Sequence, residues 1–124
     1  MQAPATLNLT CYQGASWDYQ LTWNTTAGTV TSPVDLTGYS ARMQVRTSHY
    51  DSSVLLSLTS GSGITLGGTA GTIYLEASAA TTAGMATSNS QQEQYVYDLE
   101  LVSGAGYVTR LVQGSFFLNP EVTR

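Results

Sequence analysis

From Gln94 to Val102 the chain alternates, with Tyr95, Tyr97, Leu99 and Leu101 on one side and Asp98 and Glu100 on the other. A period of two is the signature of a strand with one face buried. A second run from Tyr107 to Leu118 follows after Ser103-Gly104-Ala105-Gly106, whose glycines permit a tight reversal, so the two runs predict a β-hairpin. The same alternation recurs upstream. Leu7 to Cys11 reads as a short first strand, and Trp17, Tyr19, Leu21 and Trp23 alternate with Asp18, Gln20 and Thr22 in a second. That second strand carries the heaviest aromatic load, and the pattern predicts that all four large side chains anchor the core.

Asn24 to Pro33 is polar and contains a glycine, which predicts a loop. A third strand, Ser40 to Thr47, sets Ala41, Met43 and Val45 against Arg42, Gln44 and Arg46. Ser48 to Ser53 reads as a turn, Val54 to Leu58 and Ile64 to Leu66 as short strands separated by Gly61-Ser62-Gly63, and Thr72 to Glu76 as another strand after the glycines of 67–71. Turn signals this frequent favour a β-sandwich or barrel over a parallel α/β fold. Ala77 to Met85 has Ser78 as a candidate N-cap, alanines in its body and Gly84 at its end, so one short helix is expected near 77–85. Ala86 to Gln92 reads as a polar, mobile loop. The fold expected is therefore all-β, an immunoglobulin-like antiparallel β-sandwich of about 7–8 short strands with one short helix. It forms a single domain over 1–124, with short flexible arms at 1–6 and 121–124.

Composition sharpens this picture. The 124 residues suffice for one core that buries roughly two thirds of the unfolded surface without disulfides or metals. Charged residues make up only 10%, against roughly 25% in ordinary soluble domains, and lysine is absent: the cations are Arg42, Arg46, Arg110 and Arg124. With a net charge of -4, the chain lacks the clustered basic residues that neutralise phosphates, so neither nucleic acid nor a membrane surface is expected as a partner. The opening residues carry no basic, apolar leader, and no apolar run is long enough to span a bilayer. Synthesis in the cytoplasm is the resulting expectation. A surface of neutral hydroxyls and amides suits a subunit packed among others better than a freely diffusing enzyme.

Catalytic equipment is sparse. His49 is the one histidine and Cys11 the one cysteine, which leaves no recurring ligand spacing for zinc or iron and no cofactor to assign. Cys11 sits in an alternating strand and is expected to be a buried, inert thiol. His49 lies in a turn beside Tyr50 and Asp51, where a solvated role is expected in preference to that of a base for a nucleophile. Asp98 and Glu100 share one strand face about 7 Å apart, within reach of a glycosidase pair on distance alone. Arg42 and Arg46 share a face of the third strand, about 13 Å apart by strand rise. Cross-strand pairing of these arginines with Asp98 or Glu100 is the simpler reading, and a docking patch for an acidic partner is the sharper one. The glycine segments match no phosphate loop or dinucleotide fingerprint.

Three stretches carry a resemblance: 12–19 (Tyr-Gln-Gly-Ala-Ser-Trp-Asp-Tyr), 33–46 (Pro-Val-Asp-Leu-Thr-Gly-Tyr-Ser-Ala-Arg-Met-Gln-Val-Arg) and 97–101 (Tyr-Asp-Leu-Glu-Leu). Together with the closing run from Gly114 through Asn119-Pro120 to Arg124, they resemble the β-sandwich domain at the N-terminus of baseplate upper proteins of tailed bacteriophages. The resemblance implies a virion component that joins tail, connector, baseplate or fibre subunits in multiple copies of a symmetric assembly, and it implies no catalytic residues. The full baseplate proteins continue into further segments, so the station in the particle is left open by the resemblance.

The function expected is thus a non-enzymatic structural component of a phage particle. Its candidate interface residues are Met1, Gln2, Ala3, Pro4, Arg42, Arg46, Glu121, Val122, Thr123 and Arg124, with the loops Asn24 to Pro33 and Ala86 to Gln92 as further contact segments. Two alternatives stand beside it: a head decoration protein, and a carbohydrate-binding module for host-surface polysaccharide using Trp17, Trp23, Tyr12 and Tyr50. A small hydrolase built on Asp98 and Glu100 is a weaker third.

Overall fold

The computed structural model describes residues 3–85 and 91–123. Eleven strands and one α-helix follow one another: β1 (Ala5–Thr6), β2 (Leu9–Tyr12), β3 (Trp17–Thr22), β4 (Asn24–Ala27), β5 (Val30–Pro33), β6 (Ser40–Arg46), β7 (Leu56–Ser60), β8 (Gly63–Leu66), β9 (Thr72–Ala77), α1 (Ala79–Ala83), β10 (Glu93–Val102) and β11 (Val108–Asn119). The all-β class expected from the alternation is what the protein adopts. Eleven strands among the described residues exceed the expected 7–8, because part of an expected flexible arm pairs as β1 and one expected loop is itself a strand pair.

Nine strands form one sheet in the order β1, β11, β10, β6, β7, β8, β9, β3, with β2 also paired to β11. The sheet is mixed and not purely antiparallel. β1 and β2 run parallel to successive parts of β11, with Ala5 opposite Val112 and Leu9 opposite Phe116, and β7 runs parallel to β8. Between β1 and β2 the chain bends at Leu7 and Asn8. Tyr97 Oη donates to Leu7 O at 2.6 Å, and Ser115 N donates to Asn8 Oδ1 at 3.1 Å. Gly114 permits this bend, since a Cβ there would collide with the Leu7 carbonyl. Ala5 and Thr6, expected in a flexible arm, are instead held to β11 by this pairing.

The alternating faces land as the pattern requires. Tyr95, Tyr97, Leu99 and Leu101 of β10, Met43 and Val45 of β6, Ile73 and Leu75 of β9 and Phe116 and Leu118 of β11 are all buried in one cluster. A β-bulge opposite Leu99 and Glu100 turns two successive β11 residues, Leu111 and Val112, inward, where strict alternation would bury one. The sheet curls so that its two ends meet. Trp17 of β3 packs edge-on against Phe116 of β11 with ring centroids 5.6 Å apart, and Trp17 Nε1 donates to Thr10 O of β2 at 3.0 Å. β3 remains an edge strand of the sheet, which corrects the expectation for its aromatic face: Trp17 is buried, Leu21 and Trp23 are half-buried, and Tyr19 is exposed.

The short helix forms where its cap predicts. Ser78 Oγ accepts from Thr81 N at 3.1 Å, and Gly84 closes the other end. Thr82 fastens it to the sheet: Gly14 N donates to Thr82 Oγ1 at 3.0 Å, and that hydroxyl lies 2.8 Å from Ala15 O. Among the described residues no helix is long and apolar enough to cross a membrane.

Candidate interaction surfaces

Asn24 to Pro33, predicted as a loop, forms a separate two-stranded ribbon, β4 paired antiparallel with β5. Its residues are Asn, Thr, Ser, Ala, Val and Pro, without a charge, and all eight strand positions are exposed. A ribbon of this kind buries nothing of its own. Its order comes from cross-strand hydrogen bonds, including Thr26 Oγ1 to Thr31 Oγ1 at 3.0 Å, and from its base. There Trp23 N donates to Gly71 O and Val34 N to Trp23 O, each at 2.8 Å. Gly71 adopts φ 68, and a Cβ would press on the Trp23 and Val34 carbonyls, so glycine is required where the ribbon leaves the body.

The chain ends lie on the surface to different degrees. Ala3 is exposed and Pro4 half-buried, while Val122 and Thr123 are exposed. Glu121 is held more closely than an arm would be. Its N donates to Gln13 Oε1 at 3.1 Å, its carboxylate lies over Gly14, and Gln13 Nε2 donates in turn to Met85 O at 2.9 Å. Met1, Gln2, Arg124 and positions 86–90 of the expected Ala86 to Gln92 loop lie outside the described residues.

The two arginines of β6 are both engaged within the chain. Arg42 Nε donates to Glu100 Oε1 at 2.7 Å, the two residues being direct register partners on β6 and β10. Arg46 reaches neither carboxylate: its guanidinium donates to Asp51 O at 2.6 Å and to Gln44 Oε1 at 2.7 Å. Asp98 instead faces Arg110 of β11 at 3.5 Å. Each of the two carboxylates that distance alone relates to a glycosidase pair thus stands against an arginine.

His49 lines a small hollow of about 130 Å³ with Arg46, Asp98 and Arg110 on the outer face of the sheet. Burial pushes the Cys11 thiol up to about 11, a state in which it is a poor nucleophile at neutral pH. Among the described residues no group of three or more His, Cys, Asp or Glu side chains is placed to hold a metal ion.

The four aromatics considered as sugar platforms do not converge. Trp17 is buried, Tyr12 and Tyr50 are exposed, and Trp23 lines a different hollow from Trp17. What Trp23 meets is Tyr39, edge-on at 6.1 Å, beside Tyr107 of the β10–β11 turn. Alternation along single strands gives no sign of this cluster, whose members come from three separate segments. Asp18 and Glu76 form a further polar feature, as register partners on β3 and β9. Tyr74 is raised by burial and then by these two carboxylates.

No protein-family model and no curated protein sequence matches this chain.

Proposed function

We propose that this chain is a non-enzymatic structural component of a tailed bacteriophage particle, joining tail, neck, baseplate or fibre parts through protein–protein contacts. In this reading the curled sheet is an immunoglobulin-like β-sandwich, made in the bacterial host and incorporated in several copies around the particle axis. The resemblance of 12–19, 33–46 and 97–101 motivates the assignment. The observation that carries it is the β4–β5 ribbon, eight exposed, uncharged residues that contribute nothing to the chain's own core. A two-stranded ribbon is marginally stable alone in water, and pairing or packing against a neighbour supplies the missing third element. Its free edges carry no lysine and no charge to repel another strand, the devices by which isolated proteins protect such edges.

The exposed end residues Ala3, Val122 and Thr123 extend the same reading. Short segments that order on docking cost about 1–2 kcal/mol per residue in backbone entropy, so they serve contacts that are extensive and lasting. The test is replacement of 25–32 by a Gly-Gly link in the phage genome that encodes the chain. A folded protein missing from purified particles supports the assignment, and normal incorporation without the ribbon removes its main support.

A further inference from the structure

The cleft between the β10–β11 turn and the base of the ribbon has a volume of about 740 Å³, within the range of small-ligand sites. Three aromatic residues from distant parts of the chain line it: Trp23 after β3, Tyr39 before β6, and Tyr107 in the turn. Trp23 and Tyr39 stand perpendicular with centroids 6.1 Å apart, while Tyr107 is 66% exposed, so one ring lies open at the rim and two form the wall. Glu100 and Arg110, register partners across β10 and β11, line the same cleft. Independently, Trp23 Nε1 is buried with no acceptor on the described chain, and a buried donor left unpaired is destabilising.

We propose that this cleft binds a neutral saccharide, with Tyr107 as the stacking platform and Glu100 and Arg110 as the hydroxyl-reading pair. Charge selects the class. Glu100 is already neutralised by Arg42, and Arg110 faces Asp98, so the cleft carries no net charge that would call for an ionic ligand. The pair still presents acceptor and donor sites side by side, since one ion-pair contact fills neither a carboxylate nor a guanidinium. Adjacent sugar hydroxyls both donate and accept and match that arrangement, while the C–H face of a pyranose covers an aromatic ring. A proline-rich peptide, the other common occupant of aromatic grooves, has few donors and would cover the remaining acceptor sites of the Glu100 carboxylate without filling them. A hydroxyl seated against the wall also offers Trp23 Nε1 the acceptor it lacks. The site is independent of where in a particle the chain works.

The experiment is a screen of the whole protein on an array of neutral glycans, followed by NMR titration of the two tryptophan indole N–H signals with the best glycan and with a decaproline peptide. The expected result is a saturable shift of the Trp23 signal with the glycan, lost in Tyr107→Ala and in Glu100→Gln and kept in Tyr50→Ala, with circular dichroism unchanged in all three. Using two variants on different strands guards against misfolding of either. Absence of any neutral glycan ligand, an equal shift in both cleft variants, or saturation by decaproline in place of glycan overturns the proposal.

Discussion

Arg42 and Glu100 stand directly opposite each other on β6 and β10, with Arg42 Nε 2.7 Å from Glu100 Oε1. The Arg42 side chain is 56% exposed and that of Glu100 23%, so water and salt screen much of the attraction. Such a pair contributes about 0.2–1 kcal/mol. Glu100→Gln is therefore expected to lower unfolding stability by less than about 1 kcal/mol, with the difference shrinking as salt is added. A much larger loss, measured by urea unfolding, would mean that the pair organises β10 and does not merely decorate it.

Thr82 is the one fully buried polar side chain among the described residues, and its hydroxyl joins α1 to the Gly14–Ala15 turn. Thr82→Val keeps the shape and removes the hydroxyl, leaving the Gly14 N–H and the Ala15 carbonyl without this partner. The expected loss is roughly 1–3 kcal/mol in urea unfolding. A variant as stable as the parent would show that the helix is held by packing alone.

At Gly114 the constraint is steric. A methyl group there would occupy the place of the Leu7 carbonyl, to which Tyr97 Oη donates. Gly114→Ala is expected to cost roughly 1–3 kcal/mol and to release 3–7 from β11, raising amide exchange at Ala5 and Thr6. Unchanged exchange there would contradict the account of why β1 and β2 are split.

Stability is expected to fall at alkaline pH. Burial raises the Cys11 thiol from 9.0 to about 11, and burial followed by the Glu93 hydrogen bond raises Tyr95 from 10.0 to about 12; Tyr97 is raised too, chiefly by burial. These groups hold their protons more tightly folded than unfolded. Their contribution is complete below the unfolded value near 9 and is lost as pH climbs through the folded values of about 11 to 12. Thermal unfolding across that window should show a declining Tm, with Cys11 resisting iodoacetamide at neutral pH. A flat Tm through the same window, or rapid alkylation of the folded protein, runs against this.

Much of this architecture is legible in local pattern. The β10–β11 hairpin follows from period-two alternation and two glycines, and α1 follows from Ser78, its alanines and Gly84, because both depend on residues close in sequence. The pairing of Arg42 with Glu100 was accessible on the same terms, since both lie on the polar faces of clear strands. The β4–β5 ribbon was not. Asn24 to Pro33 lacks an apolar period because neither face of the ribbon is buried, and pattern reading detects burial, not hydrogen bonding. Arg46 escaped for a different reason: its partners, Asp51 O and Gln44, are a backbone atom and a same-strand neighbour that charge matching ignores. The Trp23, Tyr39 and Tyr107 cluster depends on how the sheet curls, which no single segment encodes.

Electron microscopy of purified phage particles with antibody against this chain bears most directly on its role. The account predicts label at one fixed station of every particle, in symmetry-related copies, and loss of that label when the 25–32 ribbon is replaced. Particles that carry none of the protein would contradict it.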